Sequence, residues 1–233
     1  MWYYDRCRRI KKRGVETERR KGRYRRFGKR ILDVVLASVA LVILSPVTLV
    51  VALAIRLTMG PLAIFGQARP GLYGKPFTMY KFRTMLDLRD ENGKFLPDET
   101  RLTRLGRFLR KFSLDEIPEL WNVLKGDMSV LGPRPLLMEY LPLYTPGQAR
   151  RHEVKPGMAG PVIMSGRNIL DWDEKFKLDV WYVDNLSFRL DIKILFLTFW
   201  KVLKVEGVSA PGHSTMPRFN GTRVDVHQEG GQT

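Results

Sequence analysis

The sequence predicts a mostly helical α+β protein held to a membrane from one side, a monotopic arrangement. Three observations predict it: a charge-free apolar run near the start, a short alternating stretch rich in glycine and proline, and two later segments that mix bulky apolar residues with Lys/Arg. With 233 residues the chain has room for one core plus an appendage, and not for two large domains.

The formal charge of +16 is distributed unevenly. Residues 1–30 hold fourteen Lys/Arg against Asp5, Glu16 and Glu18, a net +11, so the rest of the chain is only mildly basic. Residues 1–26 are expected to be a disordered basic extension whose partners are anionic lipid headgroups or nucleic acid. The neighbouring sequence favours lipid. From Val34 to Ile55 there are 22 residues without a charge, about 33 Å of helix against a hydrocarbon core of roughly 30 Å. The run is too long for a signal peptide and no small-residue cleavage site follows it. Cys7 is the single cysteine, so no internal disulfide forms, in keeping with a reducing, cytoplasmic location.

Ser45-Pro46 interrupts this run, and the proline removes a backbone donor where a kink is expected. One tilted span is compatible with that. The flanks favour another reading, because basic residues precede the run and Arg56, Arg69, Lys75, Lys81 and Arg83 follow it with no acid before Asp87. Positive flanks mark the cytoplasmic side. Residues 27–59 are therefore expected to dip into the membrane and return, a re-entrant helix-break-helix with its break at Ser45-Pro46.

Residues 60–221 are expected to follow as a domain on the cytoplasmic face of the membrane. "PLAIFGQARPGLYGKPFTMYKFRTM" reads as a β-hairpin, with Phe77, Met79, Lys81 and Arg83 on one face of its second strand. "RLTRLGRFLRKF", Arg101 to Phe112, reads as a basic amphipathic helix in the membrane interface, with a surface helix on a globular core as the equal alternative. "KILFLTFWKVLK", Lys193 to Lys204, suits a second interfacial or buried helix. The tail, residues 222–233, reads as disordered.

"RKFSLDEIPELWNVLKGDMSVLGPRP" raises the functional question. Ser113 and Glu116 have capping-box spacing, and acids in a first helical turn are ordinary. Pro118 complicates a helix starting at Leu114, whereas one starting at Pro118 leaves Asp115 and Glu116 just ahead of its positive end; in either case Leu114, Ile117, Trp121 and Leu124 form the buried stripe. The alternative is chemical. A carboxylate nucleophile has to be ionised, fixed and close to cations that offset phosphate charge. Asp115 fits the nucleophile, Arg134 between Pro133 and Pro135 presents a stiffened guanidinium, and Lys81, Arg83 and Arg110 complete an anion pocket. Glu116 is a carboxylate for Mg²⁺. Residues alone leave capping and phosphoryl transfer both open.

"YKFRTM", "RKFSLDEIPELWNVLKGDMSVLGPRPLLMEYLPLYTPGQARRHEVKPG", "SGRN", "EKFKLDVWYVDNLSFRLDIKIL" and "GHSTMPRFNG" together resemble a bacterial sugar transferase of the monotopic phosphoglycosyl transferase family. The likeness runs from about Lys29 to Gly221, in the small single-domain subgroup. It implies transfer of a sugar phosphate from a UDP-sugar to a polyprenol phosphate such as undecaprenyl phosphate, with release of UMP. By the same resemblance the catalytic dyad is Asp115-Glu116, with Asp115 as nucleophile and Glu116 as Mg²⁺ ligand, and Lys81, Arg110 and Arg134 serve the phosphate site. One departure is "PGMAGPVIMSGRN", which lacks the Gly-Trp-Ala-Gln-Val stretch of many relatives. His213 in "GHSTM" and Asp179, Asp184 and Asn185 carry weaker functional readings beside structural ones. Expected partners are the UDP-sugar, the polyprenol phosphate, anionic lipids and a second copy of the chain. Nucleic acid is not expected, because the excess charge precedes residue 31. A tethered nucleic-acid-binding protein and a non-catalytic scaffold are the rival readings.

Overall fold

A computed structural model describes residue 22 and residues 24–165, 170–204 and 218–221. The basic extension up to residue 21, His213 and the tail from residue 222 lie outside the described residues. The fold is mostly helical α+β with small two-stranded sheets.

Helix α1 (Lys29–Met59) is long and apolar enough to cross a membrane. It does not stop at Ser45-Pro46, where a helix-break-helix was expected; Pro46 lies inside one continuous helix. Local chemistry shows how. Pro46 has no N–H to offer the Val42 carbonyl four residues back, and the Ser45 hydroxyl donates to that carbonyl instead, at 2.8 Å. Thr48 does the same for Leu44 at 2.9 Å. The orphaned acceptor is satisfied, so the helix runs on.

Burial along α1 is confined to its ends. Ala37 near the start and Val51, Ile55 and Met59 near the finish join one cluster with Leu109, Leu120, Val123 and Met128. Between them Val42, Ile43, Leu49 and Val50 are exposed. The first turns are fastened by polar contacts: the buried Asp33 carboxylate accepts from Ser129 Oγ at 2.9 Å and Val130 N at 3.0 Å. Arg30 donates to the Val123 and Leu124 carbonyls at 2.5 and 2.6 Å, closing the C-terminal end of the helix over Glu119–Lys125.

Strands β1 (Ile64–Pro70) and β2 (Pro76–Phe82) form the expected antiparallel hairpin, from Ile64 opposite Phe82 to Pro70 opposite Pro76. A single turn α2 (Asp98–Arg101) leads to α3 (Arg104–Lys111). The interfacial helix was expected to start at Arg101. It starts at Arg104 because Thr103 caps it, its hydroxyl accepting from Gly106 N at 2.8 Å. Leu109 is buried, while Phe108 and Phe112 face outward.

After α4 (Glu119–Lys125), strand β3 (Ser129–Leu131) pairs in parallel with β4 (Gly157–Ala159), a pair the sequence reading did not contain. Two glycines permit it: a Cβ on Gly157 would stand 2.1 Å from Gly132 N. Helices α5 (Trp172–Asn185) and α6 (Phe188–Lys204) complete the body; Asp171 caps α5, and α6 begins five residues before the segment expected. Ile194 is buried in the core, whereas Phe196, Phe199 and Trp200 are exposed.

Candidate active site

Ser113 adopts a left-handed backbone, φ 54° and ψ 23°, a conformation rare outside glycine and found where surrounding structure enforces it. A 3₁₀ turn over Leu114–Glu116 follows, and α4 starts at Glu119 with Pro118 at its cap. The capping box is absent. Ser113 makes no side-chain capping bond, and Glu116 points to Lys81 and Arg134 instead of back to the helix start. The start at Glu119 also corrects the expected stripe: Leu120 and Val123 turn inward with Ile117, while Trp121 is exposed.

The turn places Asp115, buried, on the wall of a cleft of about 510 Å³, a size common for small-molecule sites. Lys81, Arg83, Arg110, Glu116 and Arg134 line the same cleft, so residues from β2, α3, the Leu114–Glu116 turn and the Gly-Pro-Arg-Pro loop converge. Lys81 Nζ lies 2.9 Å from Glu116 Oε1 and 3.0 Å from Glu119 Oε1. Arg134 forks onto Glu116, Nη2 on Oε1 and Nη1 on Oε2. Arg110 Nε donates to Thr84 Oγ1 at 3.1 Å. Arg83 directs its guanidinium to the backbone, donating to Met85 O at 3.0 Å and Met59 O at 3.3 Å, and so fastens the end of α1 to the hairpin.

The two neighbouring acids are pushed in opposite directions. Burial raises the Asp115 pKa above its ordinary value and the adjacent Glu116 charge adds to this, against the pull of Lys81, Arg110 and Arg134. Burial alone would raise Glu116 too, but Arg134 and Lys81 outweigh it and hold that carboxyl at about 2. Glu119 is raised by burial and by Glu116. The cleft therefore holds one firmly ionised acid beside one of heightened basicity.

The arginine that faces this pair is braced from behind. Pro133 and Pro135 are buried on either side of the outward Arg134, and the Arg134 carbonyl accepts from the buried Arg151 at 2.7 Å. Arg151 in turn pairs with buried Asp179 at 2.7 Å. Asp179 thus supports the loop from inside the body. Asp184 pairs with Arg150, and Asn185 bonds the Trp181 carbonyl.

Three residues at the site escaped the sequence reading. Arg69 lines the cleft, and its Nε is buried without an acceptor among the described residues. Alternation along β1 from Gln67, with Arg69 opposite Phe77, was the available signal. Glu119 and Thr84 left no sequence signal, because their roles depend on which side chains meet them across the cleft.

Residues 24–205 match the family profile described as bacterial sugar transferase. The chain belongs to that family. It is 57% identical over 194 residues to the uncharacterized sugar transferase EpsL of Bacillus subtilis, a match covering 83% of this chain and 96% of that protein. The undecaprenyl-phosphate galactose phosphotransferase of Salmonella typhimurium is 40% identical over 199 residues, covering 78% of this chain and 42% of the relative. The UDP-glucose:undecaprenyl-phosphate glucose-1-phosphate transferase of Escherichia coli is 41% identical over 188 residues, covering 76% and 40%. The chain thus spans nearly all of EpsL and about two fifths of the two longer relatives.

Proposed function

We propose that this protein transfers a sugar 1-phosphate from a UDP-sugar to polyprenol phosphate at the membrane surface. The observation that carries the reading is Asp115, a carboxylate of raised basicity on the wall of a cleft rimmed by Lys81, Arg110, Arg134 and Arg69. The printed activities of the Salmonella and Escherichia relatives supply the substrate classes. In the first displacement an Asp115 oxygen attacks the sugar-bearing phosphorus, the bond to UMP breaks and UMP leaves. In the second, a phosphate oxygen of the polyprenol phosphate attacks that phosphorus and the bond to Asp115 breaks, which returns the free carboxylate. A water-soluble donor and a lipid acceptor thereby use one site in turn.

Lys81 and Arg134 are held on Glu116 in this structure, and a substrate diphosphate is the alternative partner for both. Mg²⁺ fits the residues present through Glu116, which stays ionised and whose two cations a diphosphate can take over. Glu116 would hold the ion, with phosphate oxygens and water completing its shell, and the ion would offset charge on the transferring phosphoryl group.

The re-entrant topology belongs to the same reading. The support for it is that both ends of α1 pack on one cluster while Val42 to Val50 stands largely clear of it, which in a continuous helix calls for a bend at Pro46 in place of the break first expected. The positive flanks favour the cytoplasm as the side of entry and return, and in this reading the exposed Phe108, Phe112, Phe196, Phe199 and Trp200 are the side chains that meet the interface. The test is UMP release by the purified chain from a panel of UDP-sugars, with polyprenol phosphate and Mg²⁺. Incubation with the active donor and no acceptor should leave a phosphosugar on the Asp115 peptide. No UMP from any donor, or an adduct on another residue, refutes the reading.

A further inference from the structure

A second cleft, of about 190 Å³, lies at the foot of α1, apart from Asp115. Arg25, Arg26, Lys29, Arg30 and Lys155 line it against only two acids, Asp33 and Glu153. Asp33 is already engaged by Lys29, Ser129 and Val130, and Glu153 is engaged through Oε1 by Arg150 at 3.3 Å, while its Oε2 is buried with no donor among the described residues. Lys29 is neutralised as well, 3.1 Å from Asp191. The other four cations have no carboxylate within ion-pair distance among the described residues. Arg25 spends Nη1 on the Val183 carbonyl at 3.1 Å, and its Nη2 is buried with no acceptor. Arg30 bonds only to carbonyls.

Such a group of cations is costly to hold together unless an anion joins it. Lys155 registers the strain: burial, and then Arg30, lower its proton affinity. The cleft has room for several waters of about 30 Å³ each, hence for a phosphate group. Its depth indicates where that phosphate comes from. Asp33 lines the cleft, and the charge-free stretch of α1 begins at the next residue, Val34. The cations therefore sit where the helix passes from water into hydrocarbon, the level of headgroup phosphates.

We propose that this cleft binds the phosphate of one anionic phospholipid and anchors the foot of α1 at a fixed depth. The proposal rests on the membrane reading of α1 above, and not on the chemistry at Asp115. A free phosphate would satisfy the same cations, so the experiment separates the two sources.

The full chain, purified in detergent, is offered equimolar phosphatidylglycerol and phosphatidylcholine, and retained lipid is counted by native mass spectrometry. The wild type should keep one phosphatidylglycerol in preference to phosphatidylcholine. Arg25→Ala/Lys155→Ala should weaken that retention by about tenfold or more. Arg104→Ala/Arg107→Ala removes two exposed cations of α3 outside this cleft and should retain lipid like the wild type. Lys155→Ala alone, whose side chain makes no hydrogen bond among the described residues, gives a milder variant with an intermediate loss. Equal losses in both double variants would reduce the effect to bulk charge, and retention of phosphatidylcholine as well as phosphatidylglycerol would remove the phosphate specificity. Displacement of the lipid by millimolar inorganic phosphate would overturn the lipid assignment. UMP release, measured on the same samples, reports separately on the activity.

Discussion

Replacing Asp115 by Asn should stabilise the protein while abolishing its activity. In the folded state burial and the Glu116 charge hold the Asp115 pKa above the ordinary aspartate value. A carboxylic acid with a raised folded pKa costs stability once ionised. The cost is nil below the unfolded pKa, grows as pH rises towards the folded pKa and is constant above it. Each tenfold weakening of the acid is about 1.4 kcal/mol, and with Asp115 buried solvent does little to reduce it. The amide keeps the shape and avoids that cost, so at pH 8 the variant should melt at or above the wild-type temperature. The gap should close as pH falls towards 4. A helix-capping role predicts the reverse, a loss of about 0.3–1 kcal/mol at neutral pH. Turnover, followed as UMP release, should fall by at least about a thousandfold because an amide cannot form the acyl phosphate. Near-normal UMP release, or a variant less stable at pH 8 than at pH 4 relative to the wild type, would refute the reasoning.

Substitutions at three further positions, with a control at Gly147, probe the cleft's supports. Arg134→Lys cannot reproduce the fork on Glu116, and UMP release should drop by about a hundredfold, with stability changed by under about 1 kcal/mol because the side chain is half exposed. Ser113→Gly should fold at least as well as the wild type, whereas Ser113→Val should lose about 2 kcal/mol in thermal melts, because φ 54° suits glycine and penalises a β-branched residue. Gly106→Ala would put a Cβ 1.9 Å from the Thr84 carbonyl oxygen. It should cost about 3 kcal/mol or more and also slow UMP release by displacing Thr84 from Arg110, while Gly147→Ala, with its nearest neighbour at 3.8 Å, should be silent in both assays.

What the sequence revealed and what it concealed divide along a physical line. A charge-free run, an alternating hairpin and a cation-bearing strand face are local patterns, and α1, β1, β2 and Lys81 appear where those patterns put them. The buried face of α4 was less legible: Pro118 fits two helix starts, and neither announced that Trp121 faces outward while Leu120 and Val123 turn inward. The β3–β4 pair is three residues a side and joins segments far apart in the chain, so no periodicity announces it. Arg151 and Asp179 are 28 residues apart, and nothing local links the two until the fold buries them as a pair behind Arg134. Ser45 was legible only as part of a break. Its hydroxyl turns out to meet the acceptor that Pro46 abandons.

The adjacency of Asp115 and Glu116 gains meaning from what each one touches. Two like charges on neighbouring residues raise each other's pKa, and burial raises both further. The cleft breaks that symmetry by giving Arg134 and Lys81 to Glu116 and not to Asp115 as direct partners, Lys81 being shared with Glu119, while Asp115 feels the same cations only at longer range. Groups whose environments drive their proton affinities apart are those to which distinct roles can be assigned. Glu116 remains charged to about pH 2 and organises cations that phosphate oxygens can take over. Asp115 keeps no hydrogen-bonding partner among the described side chains that would tie up its oxygens, and its raised basicity makes those oxygens the better electron donors. Exchanging the two residues, as Asp115→Glu/Glu116→Asp, preserves charge and composition and should still inactivate the enzyme, because the shorter acid at 116 cannot reach both Lys81 and Arg134 and the longer acid at 115 no longer presents its oxygens at the same point. Retained UMP release in that exchange would mean that the dyad acts through its total charge, and the separate roles argued from Lys81 and Arg134 would fall.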